Sequence, residues 1–217
     1  MVTKKITNLW QSKSEKEWEE CLSSYWGYVR NQLPKNFELE REMDVLHLEM
    51  VKALNPEEWY SFLREKYFRW KYTQPNRYVT TTNSLNRYLK EGKLDELFEI
   101  KQKLLDFDTS DIKCGLSAAK RIHGLGIPGS SGLLALLYPH AFGTVDQFVV
   151  KSLLEIPDLP EKEAIKKMNP MKLSLRNGVL LIELMRRKAA KNNRIFGGNR
   201  WTPRKIDMIL WVCRTDL

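Results

Sequence analysis

Two glycines separated by one residue are the first candidate for chemistry in this sequence. They lie at 123–126 (His-Gly-Leu-Gly), between two stretches with helical apolar periodicity. Glycine at such a turn allows a positive φ and a close approach of the backbone, and the start of a helix binds anions such as a DNA phosphate. A tight turn between packed helices is the alternative, and the turn alone does not decide. As a phosphate site, the turn would bind through Gly124, Leu125, Gly126, Gly129 and Ser130.

The first carboxylate after this turn is Asp146. Breaking an N-glycosidic bond builds positive charge on the sugar. A fixed carboxylate beside the anomeric carbon stabilises that charge and takes a proton from the attacking water. Asp146 also lies where a helix is predicted to begin, and an acid there is favoured by up to about 1 kcal/mol. Without the upstream turn, this structural explanation would be preferred; with the turn, the catalytic explanation is preferred.

Helical periodicity runs through nearly the whole chain and predicts an all-α fold. Helices must therefore position the glycine turn and Asp146. Trp18, Leu22 and Trp26 recur at spacings of four and predict a core stripe. The other predicted helices pass through Met43–Leu54, Pro56–Trp70, Thr80–Leu89, residues 94–105, Thr109–Ile122, Leu133–Leu137, the residues after Asp146, Ser174–Phe196 and Thr202–Trp211.

Charge is distributed unevenly along the 217 residues. The net charge is +9, and residues 110–217 carry all of it, with 18 Lys and Arg against 9 Asp and Glu. A basic soluble protein is the simple explanation, but confinement of the excess to one half favours a polyanion partner. With 42% apolar residues, the chain is long and apolar enough to fold around a core.

Several classes of protein are disfavoured by the same sequence. We expect no signal peptide at residues 1–5, no membrane span, and cytoplasmic localisation. The three cysteines fit reduced thiols better than disulfides or an iron–sulfur cluster. The three histidines lie at unrelated spacings, so we expect no metal site.

The glycine turn and the carboxylate together resemble the helix-hairpin-helix DNA glycosylase superfamily. The matching residues are Ile122–Gly126, the apolar run Leu133–Leu137 and the pair Val145-Asp146; elsewhere the resemblance is diffuse. It implies a two-lobed all-α fold, a single unit over 1–217 with lobes at 1–55 plus 150–217 and at 56–149. It also implies that Asp146 is the catalytic aspartate. The C-terminal helix is most similar to the bacterial 8-oxoguanine glycosylase branch.

The resemblance extends to residues that would handle a flipped base. A basic and aromatic segment at 69–78 corresponds to the family's loop that fills the hole left in the duplex by the flipped base. The resemblance implies that Gln74 or Asn76 fills this hole and that Arg77 contacts a phosphate. Asp207 and Trp211 share one face of the last helix and would line the base pocket, although a tryptophan there is more often part of the core. Arg186, Arg187, Lys188 and Lys191 are either a solvated face or a phosphate track.

One departure from the family concerns the lysine that bifunctional members carry just after the turn. Pro128 occupies that place, and no lysine occurs between Lys120 and Lys151. The resemblance therefore implies a monofunctional, water-using glycosylase without lyase activity. A lysine reaching in from elsewhere, such as Lys71, has no support from the sequence. Loss of the catalytic machinery, leaving a DNA-binding module, is the second alternative.

The leading hypothesis is thus a monomeric, nucleoid-associated glycosylase that acts on double-stranded DNA containing a modified base. We expect no cofactor, with a monovalent or divalent cation at the hairpin as the one candidate ion. An oxidised purine is the first candidate base, and alkylated, deaminated or bulky phage-type bases remain open. A non-catalytic DNA-binding module and a helical protein-interaction bundle are the competing hypotheses.

Overall fold

The computed structural model describes residues 6–214, and every regular element among them is a helix. The predicted all-α class is therefore confirmed. The prediction for residues 1–5 lies outside the described residues.

The first elements are α1 (Ile6–Gln11), α2 (Glu15–Gln32), α3 (Pro34–Asp44), α4 (Leu48–Ala53) and α5 (Pro56–Phe62). A π-helical turn (Leu63–Tyr67) then leads into α6 (Phe68–Lys71), α7 (Pro75–Leu85), α8 (Arg87–Lys90) and α9 (Leu94–Asp106). They are followed by α10 (Ile112–Ala119), α11 (Ile127–Leu137), α12 (Gln147–Glu155), α13 (Lys162–Lys166), α14 (Leu175–Phe196) and α15 (Pro203–Val212).

The helix after the glycine turn forms the centre of the core. α11 is buried along almost its whole length, and α10 and α14 pack against it. It begins at Ile127, earlier than the apolar run Leu133–Leu137 indicated, because the small residues at 129–132 are helical and buried. Their small size permits close approach: a Cβ on Gly132 would lie 2.9 Å from the Tyr67 hydroxyl.

The C-terminal helix α15 forms the other half of the framework around the site. It packs against α2, α12 and α14. Cys21 of α2 and Cys213 at the end of α15 are buried free thiols whose Sγ atoms lie 2.9 Å apart, whereas Cys114 is exposed. Within residues 6–214, no helix has the length and apolar character needed to cross a membrane.

The two glycines of the turn differ in what they contribute. Gly124 has a φ of +92°, and a Cβ there would lie 2.5 Å from the Thr81 carbonyl oxygen. Gly126 has an extended backbone (φ −86°) and caps α11, and a Cβ on it would meet only Pro128, at 3.8 Å. The Tyr72 hydroxyl donates to the Gly124 carbonyl at 3.1 Å and ties the turn to the end of α6. Gly124 is thus the position at which the turn requires glycine.

Replacement of these two glycines should therefore have unequal effects. We expect Gly124→Ala to lower the free energy of unfolding by about 1–3 kcal/mol, because it combines a strained φ with a backbone clash. Gly126→Ala should cost less than about 1 kcal/mol, because alanine is only a poorer N-cap there. Urea unfolding followed by circular dichroism measures both, and equal losses in the two variants would contradict this description of the turn.

Candidate active site

A small cavity of about 180 Å³ lies where α2, α3, α6, α12 and α15 meet. It brings Asp146 together with Asp207 and Trp211, the two residues that the sequence placed on one face of the last helix. We call it the inner cavity. Its polar and aromatic lining residues are Tyr25, Asn36, Glu40, Trp70, Lys71, Thr73, Thr144, Asp146, Phe148, Arg204, Asp207 and Trp211.

Asp146 is held in place by the helix that it begins. Its Oδ1 accepts hydrogen bonds from the amides of Phe148 (2.9 Å) and Val149 (3.1 Å), so the side chain is the N-cap of α12. Its Oδ2 lies 4.0 Å from the Lys71 Nζ, and 20% of the side chain is exposed. The hydroxyl of Ser131 accepts from the amide of Val145 (2.9 Å), which fixes the preceding residue to α11. One carboxylate oxygen is therefore engaged by the backbone and the other faces an amine.

Lys71 is the residue at the site that sequence reasoning left without support. It ends α6, its side chain is only 11% exposed, and its Cδ lies 3.2 Å from the position that a Cβ on Gly132 would take. Burial lowers the pKa of this lysine, and the nearby carboxylate of Asp146 opposes that shift. The structure thus places a desolvated amine beside the predicted catalytic acid.

A buried charge cluster, Glu40, Arg204 and Asp207, forms the inner wall. Arg204 donates from Nη1 to Asp207 (2.8 Å) and from Nη2 to Glu40 (3.0 Å). The amide of Thr144 donates to the second oxygen of Asp207 at 2.6 Å. Burial raises the pKa of Asp207 to about 7, against the attraction of Arg204 and the hydrogen bond from Thr144. Asp207 therefore has hydrogen bonds to the protein at both oxygens before any ligand binds.

Two polar atoms of this wall have no partner within residues 6–214. They are the Nε of Arg204 and the hydroxyl of Thr144, both buried in residues that line the inner cavity. Buried polar groups normally find partners, so these two atoms are exceptions in this wall. Glu40 accepts in addition from the Tyr25 hydroxyl and the Trp70 indole N–H, each at 2.6 Å.

Trp211 belongs both to the aromatic core and to the lining of the inner cavity, the two environments that the sequence predicted for it. Its ring lies 5.5 Å from Tyr25, 5.3 Å from Tyr28 and 6.4 Å from Phe148, measured between ring centroids. It is half-buried in this aromatic cluster and also lines the inner cavity. The sequence could not separate a core role from a pocket role, and the position of the residue combines them.

A second, outer cavity of about 470 Å³ adjoins the inner one and shares Lys71, Asp146 and Trp211 with it. Gln74 and Arg77 are exposed and line this outer cavity. Asn76 is exposed too but lines neither cavity. Gln74 and Arg77 therefore lie on the open side of Asp146, opposite the charge cluster.

The hairpin reaches the outer cavity through Pro128. Gly126 is exposed and Gly124 is half-buried, whereas Leu125, Gly129 and Ser130 are buried. The amide of Ser130 donates to the Gly126 carbonyl at 2.8 Å, and the Gly129 carbonyl accepts from the Tyr67 hydroxyl. Of the predicted phosphate-binding residues, only Gly126 is exposed; Gly124 packs against Thr81, and the three buried ones shape the turn from within.

Two of the four basic residues predicted as a cluster on α14, Arg186 and Lys188, have structural roles, whereas Arg187 and Lys191 are exposed. Arg186 donates to the carbonyls of Thr109, Ser110 and Ala141. Lys188 is buried, donates to the Trp10 carbonyl at 2.6 Å, and lies over the rings of Trp10 and Trp18. Arg186 and Lys188 therefore belong neither to a solvated face nor to a phosphate track.

Sequence reasoning missed Glu40, Thr144 and Arg204, and it named Lys71 only as a residue without support. The i,i+3 spacing of Arg204 and Asp207 on one helix was an available signal for their ion pair. Glu40 carried no signal, since it is 164 residues from its partner Arg204. Within the described part of the chain, no group of three or more His, Cys, Asp or Glu side chains is placed to hold a metal ion.

Comparisons of this chain with protein-family models, with curated proteins and with solved structures found no match.

The capping role of Asp146 can be separated from any chemical role by a pair of substitutions. Asp146→Asn should change the free energy of unfolding by less than about 0.5 kcal/mol, because asparagine caps a helix as well as aspartate does. Asp146→Ala should cost about 1 kcal/mol, because the amides of Phe148 and Val149 lose their acceptor. Denaturant unfolding of both variants tests this, and a large loss in Asp146→Asn would show that the charge itself stabilises the fold.

Proposed function

We propose that this protein is a DNA N-glycosylase that takes a flipped, modified base into the inner cavity and hydrolyses the bond between that base and its sugar. One observation carries the proposal: Asp146 lines both the inner and the outer cavity, and the residue before it is bonded to α11, the helix that follows the glycine turn. A base in the inner cavity with its sugar where the two cavities adjoin would have its anomeric carbon next to this carboxylate.

Asp146 is suited to stabilise the positive charge of the transition state. Its Oδ1 is fixed by two amides at the start of α12, where the helix dipole favours a negative charge. Its Oδ2 stays available to the sugar or to a water molecule. A fixed anion beside C1′ lowers the energy of the oxocarbenium-like state and accepts the proton of the attacking water.

The inner cavity is suited to a polar, planar ligand about the size of one base. At about 180 Å³ it falls below the roughly 300 Å³ at which pockets for drug-sized ligands begin. Arg204 contributes a guanidinium group to the lining, Glu40 and Asp207 contribute carboxylates, and Trp70 contributes an aromatic wall. Donors and acceptors side by side suit the edge of a purine, so an oxidised purine is the proposed class of base.

The remaining surfaces fit the handling of a duplex. Gly126 is exposed at the start of α11, where the helix dipole would favour a phosphate of the damaged strand. Gln74, at the outer cavity, would occupy the space that the flipped base leaves, and Arg77 beside it would contact a phosphate. The inner cavity is lined from both proposed lobes: by Glu40 and Arg204 from one, and by Asp146 from the other.

In this role the protein works as a monomer on double-stranded DNA in the nucleoid, without a cofactor. The alternative proposal is a DNA-binding module without catalysis. It is favoured by the hydrogen bonds within the inner wall. Both oxygens of Asp207 already accept hydrogen bonds from the protein, so they do not need a base as a partner. That module would use the hairpin and leave Asp146 as a cap.

The test is base release from duplexes that each contain one oxidised, alkylated or deaminated base, with strand cleavage by alkali as the readout. We expect release by the wild type and a loss of about 10²-fold or more in Asp146→Asn, because the variant lacks the anion. Asp158→Asn is the matched control, since Asp158 is exposed and lines neither cavity.

The binding-only alternative predicts a different set of results. Wild type and Asp146→Asn would bind DNA equally, neither would release a base from any duplex, and Gly124→Val would abolish binding. Fluorescence anisotropy with a labelled duplex at several salt concentrations measures the binding. That combination of results would replace the glycosylase proposal.

A further inference from the structure

Two buried thiols meet where the first long helix packs against the last one. The Sγ atom of Cys21, on α2, lies 2.9 Å from the Sγ atom of Cys213, at the C-terminal end of α15, and one thiol donates a hydrogen bond to the other. Both are free thiols, and both side chains are buried. The two residues are 192 positions apart in the chain, so the packing of α2 against α15 is what brings them together.

We propose that Cys21 and Cys213 are a modification site, at which a low-molecular-weight disulfide such as oxidised glutathione converts the two thiols into a reversible disulfide that fastens α2 to α15. The inference does not depend on the proposed function. The sequence predicted reduced thiols, and the reduced pair is one of the two states of this site.

The two sulfur atoms are already close to bonding distance. A disulfide bond is about 2.05 Å long, so the sulfurs at 2.9 Å must approach each other by less than about 1 Å. Small rotations of the two side chains within their rotamer wells supply a shift of this size. The helices therefore keep their places when the bond forms.

Burial controls how fast the pair reacts. The hydrogen bond with Cys21 and burial both raise the pKa of Cys213, and the thiolate is the form that attacks a disulfide. Cys213 caps the end of α15, where its amide donates to the Ile209 carbonyl, and helix ends open more readily than helix centres. We therefore expect the reaction to start from a locally opened helix end, and to be slower than modification of the exposed Cys114.

The exchange is balanced with oxidised glutathione as the only reagent. The Cys213 thiolate attacks one sulfur of this reagent, an S–S bond forms, and one glutathione leaves as a thiolate. The Cys21 thiolate then attacks the Cys213 sulfur of the mixed disulfide and releases the second glutathione thiolate. The two protein thiols give their protons to the released thiolates and lose two electrons, which the reagent gains. An excess of reduced glutathione reverses both steps.

The bond would fasten two helices that line the inner cavity. Tyr25, one helical turn after Cys21, and Trp211, two residues before Cys213, both line this cavity, and their ring centroids lie 5.5 Å apart. A cross-link beside this contact limits how far α2 and α15 can separate. Because it closes a long loop, it also restricts the unfolded chain, so the oxidised protein should be more stable than the reduced one.

The experiment compares the full chain after incubation with oxidised glutathione and after incubation with dithiothreitol. Remaining thiols are alkylated with iodoacetamide in denaturant and counted by mass spectrometry. We expect three alkylated cysteines in the reduced protein and at most one in the oxidised protein. An unreduced digest of the oxidised protein should contain peptides linked through Cys21 and Cys213. Oxidation should raise the Tm by roughly 5–15 °C.

Three alanine variants make the result specific to this pair. Cys21→Ala and Cys213→Ala each remove one partner, so neither should form the bridge or gain Tm on oxidation. Cys114→Ala, which changes the exposed cysteine on α10, should form the bridge and gain Tm as the wild type does. Each variant is compared with its own reduced form, so the stability lost through the substitution itself does not enter the comparison.

The proposal is overturned if Cys21 and Cys213 both remain open to alkylation after oxidation, if the bridge includes Cys114, or if a glutathione adduct persists on either residue in place of the bridge. A bridge that leaves the Tm unchanged would also overturn it. The linked peptides of the wild type decide the question even where an alanine variant fails to fold. None of these measurements involves DNA, so their outcome is separate from that of the base-release assays.

Discussion

The burial of charge between α3 and α15 is the constraint on which this site depends. Arg204, Glu40 and Asp207 lie away from water, and each is tolerated only because the others neutralise it and fill its hydrogen bonds. Removing one member of such a cluster leaves an unpaired buried charge, at a cost of about 3–5 kcal/mol. The cluster thereby holds two segments that are distant in sequence in a single arrangement, and the inner cavity is the space beside it.

The same cluster fixes the loop that ends at Asp146. The Thr144 amide donates to Asp207, and the next amide, that of Val145, donates to Ser131 on the hairpin helix. Two consecutive peptide groups are therefore tied to opposite sides of the site, and the carboxylate follows directly in the chain. Catalysis by a charged group requires that its position vary by less than about 0.5 Å, and support of this kind from the backbone provides it.

Features that are set locally could be predicted from the sequence, and features set by tertiary contact could not. The all-α class, the glycine turn and the carboxylate at the start of α12 follow from periodicity, φ requirements and capping. The start of α11 was misplaced because residues 129–132 have the composition of a turn, whereas burial against aromatic residues makes them helical. Lys71 had no support in the sequence, and Glu40 and Arg204 were assigned no role, because only the folded chain brings them to one cavity.

The π turn at Leu63–Tyr67 separates two parts of one helix that have different tasks. The helix from Pro56 to Lys71 is continuous, and its π turn holds one residue more than an α-helical turn would. The turn accommodates this residue by widening locally, so Trp59 before it packs in the core while Trp70 and Lys71 after it line the inner cavity. A change of one residue in the length of this helix can thus be absorbed at the turn without moving the side chains at the cavity.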